Sequence, residues 1–131
     1  MNSITTQLEG IELLIPDTLV LPWYTIEEFP SCCGPGEGWK EKAIPESVWG
    51  LRISPCCWIH DNSWRLAVPT WADFHQSNAM FLTNMISMIQ MRPSPLFVVD
   101  WLRIYRAATY YNVVEKVGAD VFWDLKGEQI R

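Results

Sequence analysis

Residues 54–64 read SPCCWIHDNSW, and the rest of the chain is best understood outward from them. The stretch gathers two adjacent cysteines, one of the chain's two histidines and an aspartate. Ser54 followed by Pro55 is a helix start. The serine is an N-cap, and the proline ring presets φ at a first position whose N–H would go unused. A helix is expected from there to about Ala67, with Pro69 closing it. On such a helix Cys56, His60 and Trp64 form one row, and Cys57 and Asp61 the next. His60 and Asp61 diverge by about 100°. They cannot serve each other as base and orienting group, but they can act side by side on a water or a metal ion. A working His60 therefore needs a partner from another helix on its far ring nitrogen.

The second helix supplies one. Thr70 is its cap with Asp73 three residues on, and Pro93 stops it after about Arg92. Phe74, Phe81, Met85 and Met88 make its apolar stripe, and Asn78 lies inside that stripe. A polar group there must find a hydrogen-bond partner. Asp73, Tyr110 and Tyr111 are the other candidates to complete a network around His60. His75, near the start of the same helix, reads as a surface residue. Met80, Met85, Met88 and Met91 read as core or as an adaptable contact surface.

A third helix is expected with Ser94 as cap, Pro95 at its first position and Gly118 as terminator. Val99, Leu102, Tyr105, Thr109 and Val113 lie along it, and residues 119–131 form a tail. The tight Pro-Ser-Pro turn at 93–95 predicts that the two long helices pack antiparallel. Residues 1–53 are punctuated by Pro16, Pro22, Pro30, Pro35 and Pro45, too often for a long helix. Short extended pieces are expected at 11–15 and 18–21. SCCGPGEGW, residues 31–39, is a loop, with its glycine-rich part at 31–38. The fold class is thus mainly α: a helical core at 54–118, two long antiparallel helices in it, and an irregular N-terminal segment.

The 131 residues fit one domain, 1–131, and 49% hydrophobic residues with 13% aromatics mark it as globular. A net charge of −5 with no basic run excludes phosphate-driven nucleic-acid binding. No apolar run has the length of a membrane span. MNSITTQLEG, residues 1–10, lacks the pattern of a secretory signal. Cytoplasmic synthesis is the expectation, with export or incorporation into a virus particle as the alternatives. Eight tryptophans exceed what a chain this long can hide, so some should meet solvent, a partner or a lipid surface. Trp39 and Trp49, beside the glycine loop, could touch such an interface or cover the core. No G-x-S-x-G serine-hydrolase elbow is present.

Cys32–Cys33 and Cys56–Cys57 are adjacent pairs, a poor spacing for a zinc knuckle. Disulfides between the pairs and buried reduced thiols both remain open. Turns through Gly34 and Gly36 can aim carbonyl oxygens inward. Together with the Asp61 carboxylate these are hard ligands of the kind calcium prefers.

CCGPGEG, residues 32–38, followed by CCWIHD, residues 56–61, resembles the phospholipase A2 superfamily, in particular its compact bacterial and viral members. That family carries a C-G-x-G calcium loop and a C-C-x-x-H-D helix motif. SNAMFLTNM, residues 77–85, is similar to the family's next helix, with Asn78 where an aspartate is usual. The likeness covers roughly residues 31 to 91. It implies a calcium-dependent hydrolase acting on the middle (sn-2) ester of glycerophospholipids, with a phospholipid or membrane interface as partner. By the resemblance, His60 is the general base, Asn78 its orienting neighbour, and calcium lies between the Asp61 carboxylate and the carbonyls of Cys32, Gly34 and Gly36. It also implies a Cys33–Cys57 disulfide. Three departures stand out: Asn78, Trp64 where the family has a tyrosine, and a longer spacer between loop and helix. They leave a second expectation, a weakened or inactive relative kept as an interaction or assembly protein, as in a phage particle.

Overall fold

The computed structural model describes residues 1–30 and 47–130, the side chains of the last three excepted. Among these residues the architecture is mainly helical, with three α-helices preceded by two small β-hairpins. The first hairpin pairs β1 (Ser3–Leu8) with β2 (Ile11–Pro16), Leu8 opposite Ile11 and Ser3 opposite Pro16. Glu9 and Gly10 join them with φ of 50° and 81°. Positive φ at both central residues is the turn whose twist suits a two-residue hairpin. Ile11, Leu13 and Ile15 alternate inward and are buried. The expected piece at 11–15 is thus β2, whereas 18–21 forms no strand and β1 was not foreseen. Its pairing signal, Leu-Glu-Gly-Ile, lacks the Asn or Asp that usually announces this turn.

The second hairpin is minimal: β3 (Ser47–Val48) and β4 (Leu51–Arg52), turned through Trp49 at φ 45° and Gly50 at φ 82°. A bulky side chain in left-handed backbone costs energy and has to be held in place. Arg103 does the holding, donating from Nε and Nη2 to the Trp49 carbonyl at 3.3 and 3.2 Å.

Helix α1 spans Ser54–Leu66, α2 Trp71–Met91 and α3 Phe97–Ile130. The start of α1 differs from expectation by one residue. Ile53 is the cap, its carbonyl accepting the Cys56 and Cys57 N–H groups at 2.9 and 3.2 Å, and Ser54 is already helical. Pro55 is tolerated within this first turn because an N–H at its position would have no intrahelical partner anyway. Thr70 caps α2 as expected, its hydroxyl accepting the Asp73 N–H at 3.2 Å. Ser94 and Pro95 lie ahead of α3 instead of within its first turn. The Ser94 hydroxyl accepts the Leu96 N–H at 3.2 Å, while its own N–H donates to Asp100 at 2.8 Å.

The low-numbered end of α2 meets the high-numbered end of α3, so the two run antiparallel. Trp71 packs on Trp123 and Phe74 on Phe122, with ring centres 5.4 and 5.2 Å apart. At the other end Arg103 donates to the Arg92 carbonyl at 3.2 Å. Phe74, Phe81, Met85 and Met88 are all fully buried. Each such side chain contributes roughly 1.5–3 kcal/mol over an exposed one. On α3 the buried row is Ala107, Tyr110, Val114 and Phe122. Of the residues expected along this helix, Tyr105 and Thr109 face solvent instead. The helix is apolar on several sides, so periodicity alone did not fix which side faces α2.

Two further corrections concern the end of α3. Gly118 does not terminate it, and residues 119–130 continue the helix instead of forming a tail. A Cβ at Gly118 would lie 2.7 Å from Cη2 of Trp64, so glycine is there to admit the indole of α1. Beyond it, buried Lys126 donates to the Arg65 carbonyl at 3.2 Å, a cation placed at the C-terminal end of α1. Gly118→Ala should therefore cost about 1–3 kcal/mol, the usual range for overpacking. Urea denaturation measures it, and an unchanged midpoint would mean Trp64 has room to move.

One side chain couples the hairpin to the helices. Asn84, fully buried on α2, accepts the Leu14 N–H at 2.7 Å and donates to the Leu14 carbonyl at 2.9 Å. Its amide completes the outer edge of β2 as a neighbouring strand would.

Candidate functional site

His60 sits in the middle of α1, where the helical row with Cys56 and Trp64 turns it toward α2. Its ring is only 6% exposed. It stacks on Phe81, centres 4.8 Å apart, and lies tilted against Trp64 at 4.5 Å. Its Nε2 meets Oδ1 of Asn78 at 2.7 Å. The partner expected from the second helix is thus in place, and it is the Asn78 inferred from the apolar stripe. Two of the other candidates are occupied elsewhere. Asp73 accepts the Val68 N–H at 2.9 Å, and the Tyr110 hydroxyl donates to the Ser47 carbonyl at 2.8 Å.

The neighbours of Asn78 fix which way its amide points. Trp64 Nε1–H, which can only donate, reaches Oδ1 at 3.1 Å. Asn78 Nδ2 donates to Oε1 of Glu115 at 3.3 Å, and a carboxylate can only accept. The oxygen therefore faces His60. Because Oδ1 is an acceptor, Nε2 of His60 must carry the proton, and the lone pair of the neutral ring lies on Nδ1. Among the described residues Nδ1 makes no hydrogen bond. The arrangement is a neutral imidazole held at one nitrogen and basic at the other. Trp64 donates to the orienting group even though it cannot accept from it.

Burial lowers the His60 pKa to about 4, with the Asn78 hydrogen bond working weakly against the shift. Asp61, the next residue, is half-buried and makes no hydrogen bond to His60, as their angular separation requires. Desolvation pushes its pKa up to about 7, opposed by the charge of Arg65. No hydrogen bond or ion pair to this carboxylate occurs among the described residues. A carboxylate short of water is the kind of oxygen a cation would relieve, and among the described residues the charge of Arg65 does so in part. The remaining expected ligands, the carbonyls of Cys32, Gly34 and Gly36, lie outside the described residues, as do Cys33 and Trp39. Among the described residues no group of three or more His, Cys, Asp or Glu could hold a metal ion.

The two shifts give opposite pH dependences of stability. Unfolded His60 takes up a proton near pH 6.5, whereas the folded ring refuses it down to about 4. Stability from this group is complete above 6.5 and is lost as pH falls to about 4, a span of about 3 kcal/mol at 1.36 kcal/mol per pKa unit. Asp61 runs the other way. Folded, it keeps its proton up to about 7, while unfolded it ionises near 3.8, so stability falls as pH rises between them. Without calcium the wild-type profile should be nearly level over the shared window. Asp61→Asn should unmask a rise from pH 4 to 6.5, read as an increasing urea midpoint. A level profile in that variant would contradict the assignment.

The cysteines divide. Cys57 is disulfide-bonded. Cys56 is a buried free thiol 3.2 Å from the Met88 sulfur, its pKa pushed up by burial. Sequence reading missed one residue of the site, Glu115. Its carboxylate binds Asn78 through one oxygen and His75 through the other, at 2.7 Å. His75 is on the surface as expected, yet it is anchored to α3.

A comparison with protein-family models, curated proteins and solved structures found no match to this chain. No helix among the described residues is long and apolar enough to cross a membrane.

Proposed function

We propose that this chain is a phospholipase A2-like, calcium-dependent ester hydrolase acting on the sn-2 ester of glycerophospholipids. The observation that carries the reading is the 2.7 Å contact between His60 Nε2 and Asn78 Oδ1, with the amide locked by Trp64 and Glu115. A base needs its second nitrogen held and its tautomer fixed. His60 Nδ1 takes the proton of a water as that water attacks the acyl carbon, and returns it to the departing glycerol oxygen. Asn78 Oδ1 keeps accepting from Nε2 throughout and so steadies the imidazolium. Asp61, with the carbonyls of Cys32, Gly34 and Gly36, would hold the calcium ion. When bound, the ion supplies positive charge for the substrate phosphate and for the developing oxyanion. Mixed micelles of a glycerophospholipid test the reading. Fatty acid should be released with calcium and not with chelator.

Two observations favour a second reading, a non-catalytic interaction protein on the same scaffold. The first is the burial of the His60 ring and its weak basicity. The second is an apolar row on α3, where Phe97, Trp101 and Tyr105 are 77%, 66% and 74% exposed at helical spacings of four. Absence of calcium-dependent release at high protein concentration would select this reading.

A further inference from the structure

The hydrogen bonds behind His60 do not stop at Asn78. They run from the ring through the amide to Glu115 on α3 and end at His75 on the surface of α2. Tyr111 lies one turn before Glu115, and burial together with that carboxylate raises its pKa. The carboxylate is thus held by two donors of α2, Asn78 on one oxygen and His75 on the other. The Glu115 side chain is 17% exposed, against 56% for His75, so it is the more shielded of the two.

An amide alone is a poor orienting group for a base, because it carries no charge to favour the imidazolium. Here the amide has a carboxylate behind it. The Nδ2–H···O⁻ bond is charge-assisted, and it polarises the amide so that Oδ1 becomes a stronger acceptor. We propose that Glu115 is a positioning residue for His60, and that Asn78 and Glu115 together do the work of one orienting carboxylate. Asn78 makes the contact and Glu115 supplies the charge. The geometry stands by itself, while its consequence for turnover rests on the reading of His60 as a base.

Three variants test this by NMR of the His60 ring and the Asn78 side-chain amide at one neutral pH. Glu115→Gln keeps the size and the acceptor but removes the charge. The Nε2–H···Oδ1 bond should weaken, so the Nε2 proton should move upfield and the Asn78 amide signals should shift with it. The double variant Asn78→Asp with Glu115→Gln moves the carboxylate one residue nearer the ring and should return the Nε2 proton to the parent shift or beyond it. His75→Gln removes the imidazole hydrogen bond to Glu115 on the surface and leaves the Asn78 contact intact, so the His60 signals should stay where they were. In the hydrolase assay Glu115→Gln should lower kcat about tenfold with KM little changed. The proposal is overturned if the His60 ring signals and the Asn78 amide signals are the same in Glu115→Gln as in the parent. It is equally overturned if the double variant shows no recovery. If the parent releases no fatty acid and yet Glu115→Gln shifts the His60 ring signals, the hydrolase reading fails and the positioning role stands.

Discussion

His60→Gln should abolish ester hydrolysis, lowering turnover by roughly 10²–10⁴, the range of a general base. Glutamine can still donate from its amide to Asn78 Oδ1, so the buried contact at 2.7 Å need not be lost. It offers no nitrogen lone pair to take a proton from water. The variant separates chemistry from folding, because it should also remove the His60 part of the pH dependence of stability. Measured together, fatty-acid release and urea midpoints at pH 4 and 6.5 should both respond. Undiminished release in this variant would place the base elsewhere.

Asn84→Leu should produce the largest loss of stability, about 2–5 kcal/mol by urea denaturation. The variant keeps the volume and removes both hydrogen bonds to Leu14, at 2.7 and 2.9 Å. It strands one N–H and one carbonyl, each costing roughly 1–3 kcal/mol when left unsatisfied in the interior. Leu14 is only partly buried, so water can reach some of this edge and the lower half of the range is expected. The same loss should loosen the first hairpin, visible as faster amide exchange along β1 and β2 than along α2. A change below about 0.5 kcal/mol, the scale of an ordinary surface substitution, would mean that β2 does not depend on this edge contact.

The ends of α1 and α2 were legible because prolines and a capping threonine act locally. Pro55, Pro69, Thr70 and Pro93 locate four helix boundaries to within about a residue or two, the ordinary uncertainty of such ends. Asn78 was legible for a related reason: a polar residue inside a strict apolar stripe stands out. Glu115 was not. It occupies an unremarkable charged position on a long helix, and only the register of α3 against α2 brings it to Asn78. That register also decides why Tyr105 and Thr109 are exposed while Ala107 and Tyr110 are buried. Gly118 shows the limit of reading residue types one at a time. A glycine late in a helix is usually a stop, but here it is an opening for Trp64, which lies 54 residues earlier. The hairpin turn at Glu9 and Gly10 escaped notice because glutamate rarely takes positive φ.

The central claim is that His60, braced by Asn78 and set beside Asp61, cleaves the sn-2 ester when calcium is present. The most direct measurement uses a phospholipid whose two acyl chains differ in mass, mixed with the full chain at high concentration, with the released acids identified by mass spectrometry. The account predicts that only the acid from the middle position appears, that chelator stops its release, and that Asp61→Asn does the same. No release above the protein-free control with calcium in excess, or release that chelator leaves untouched, would contradict it.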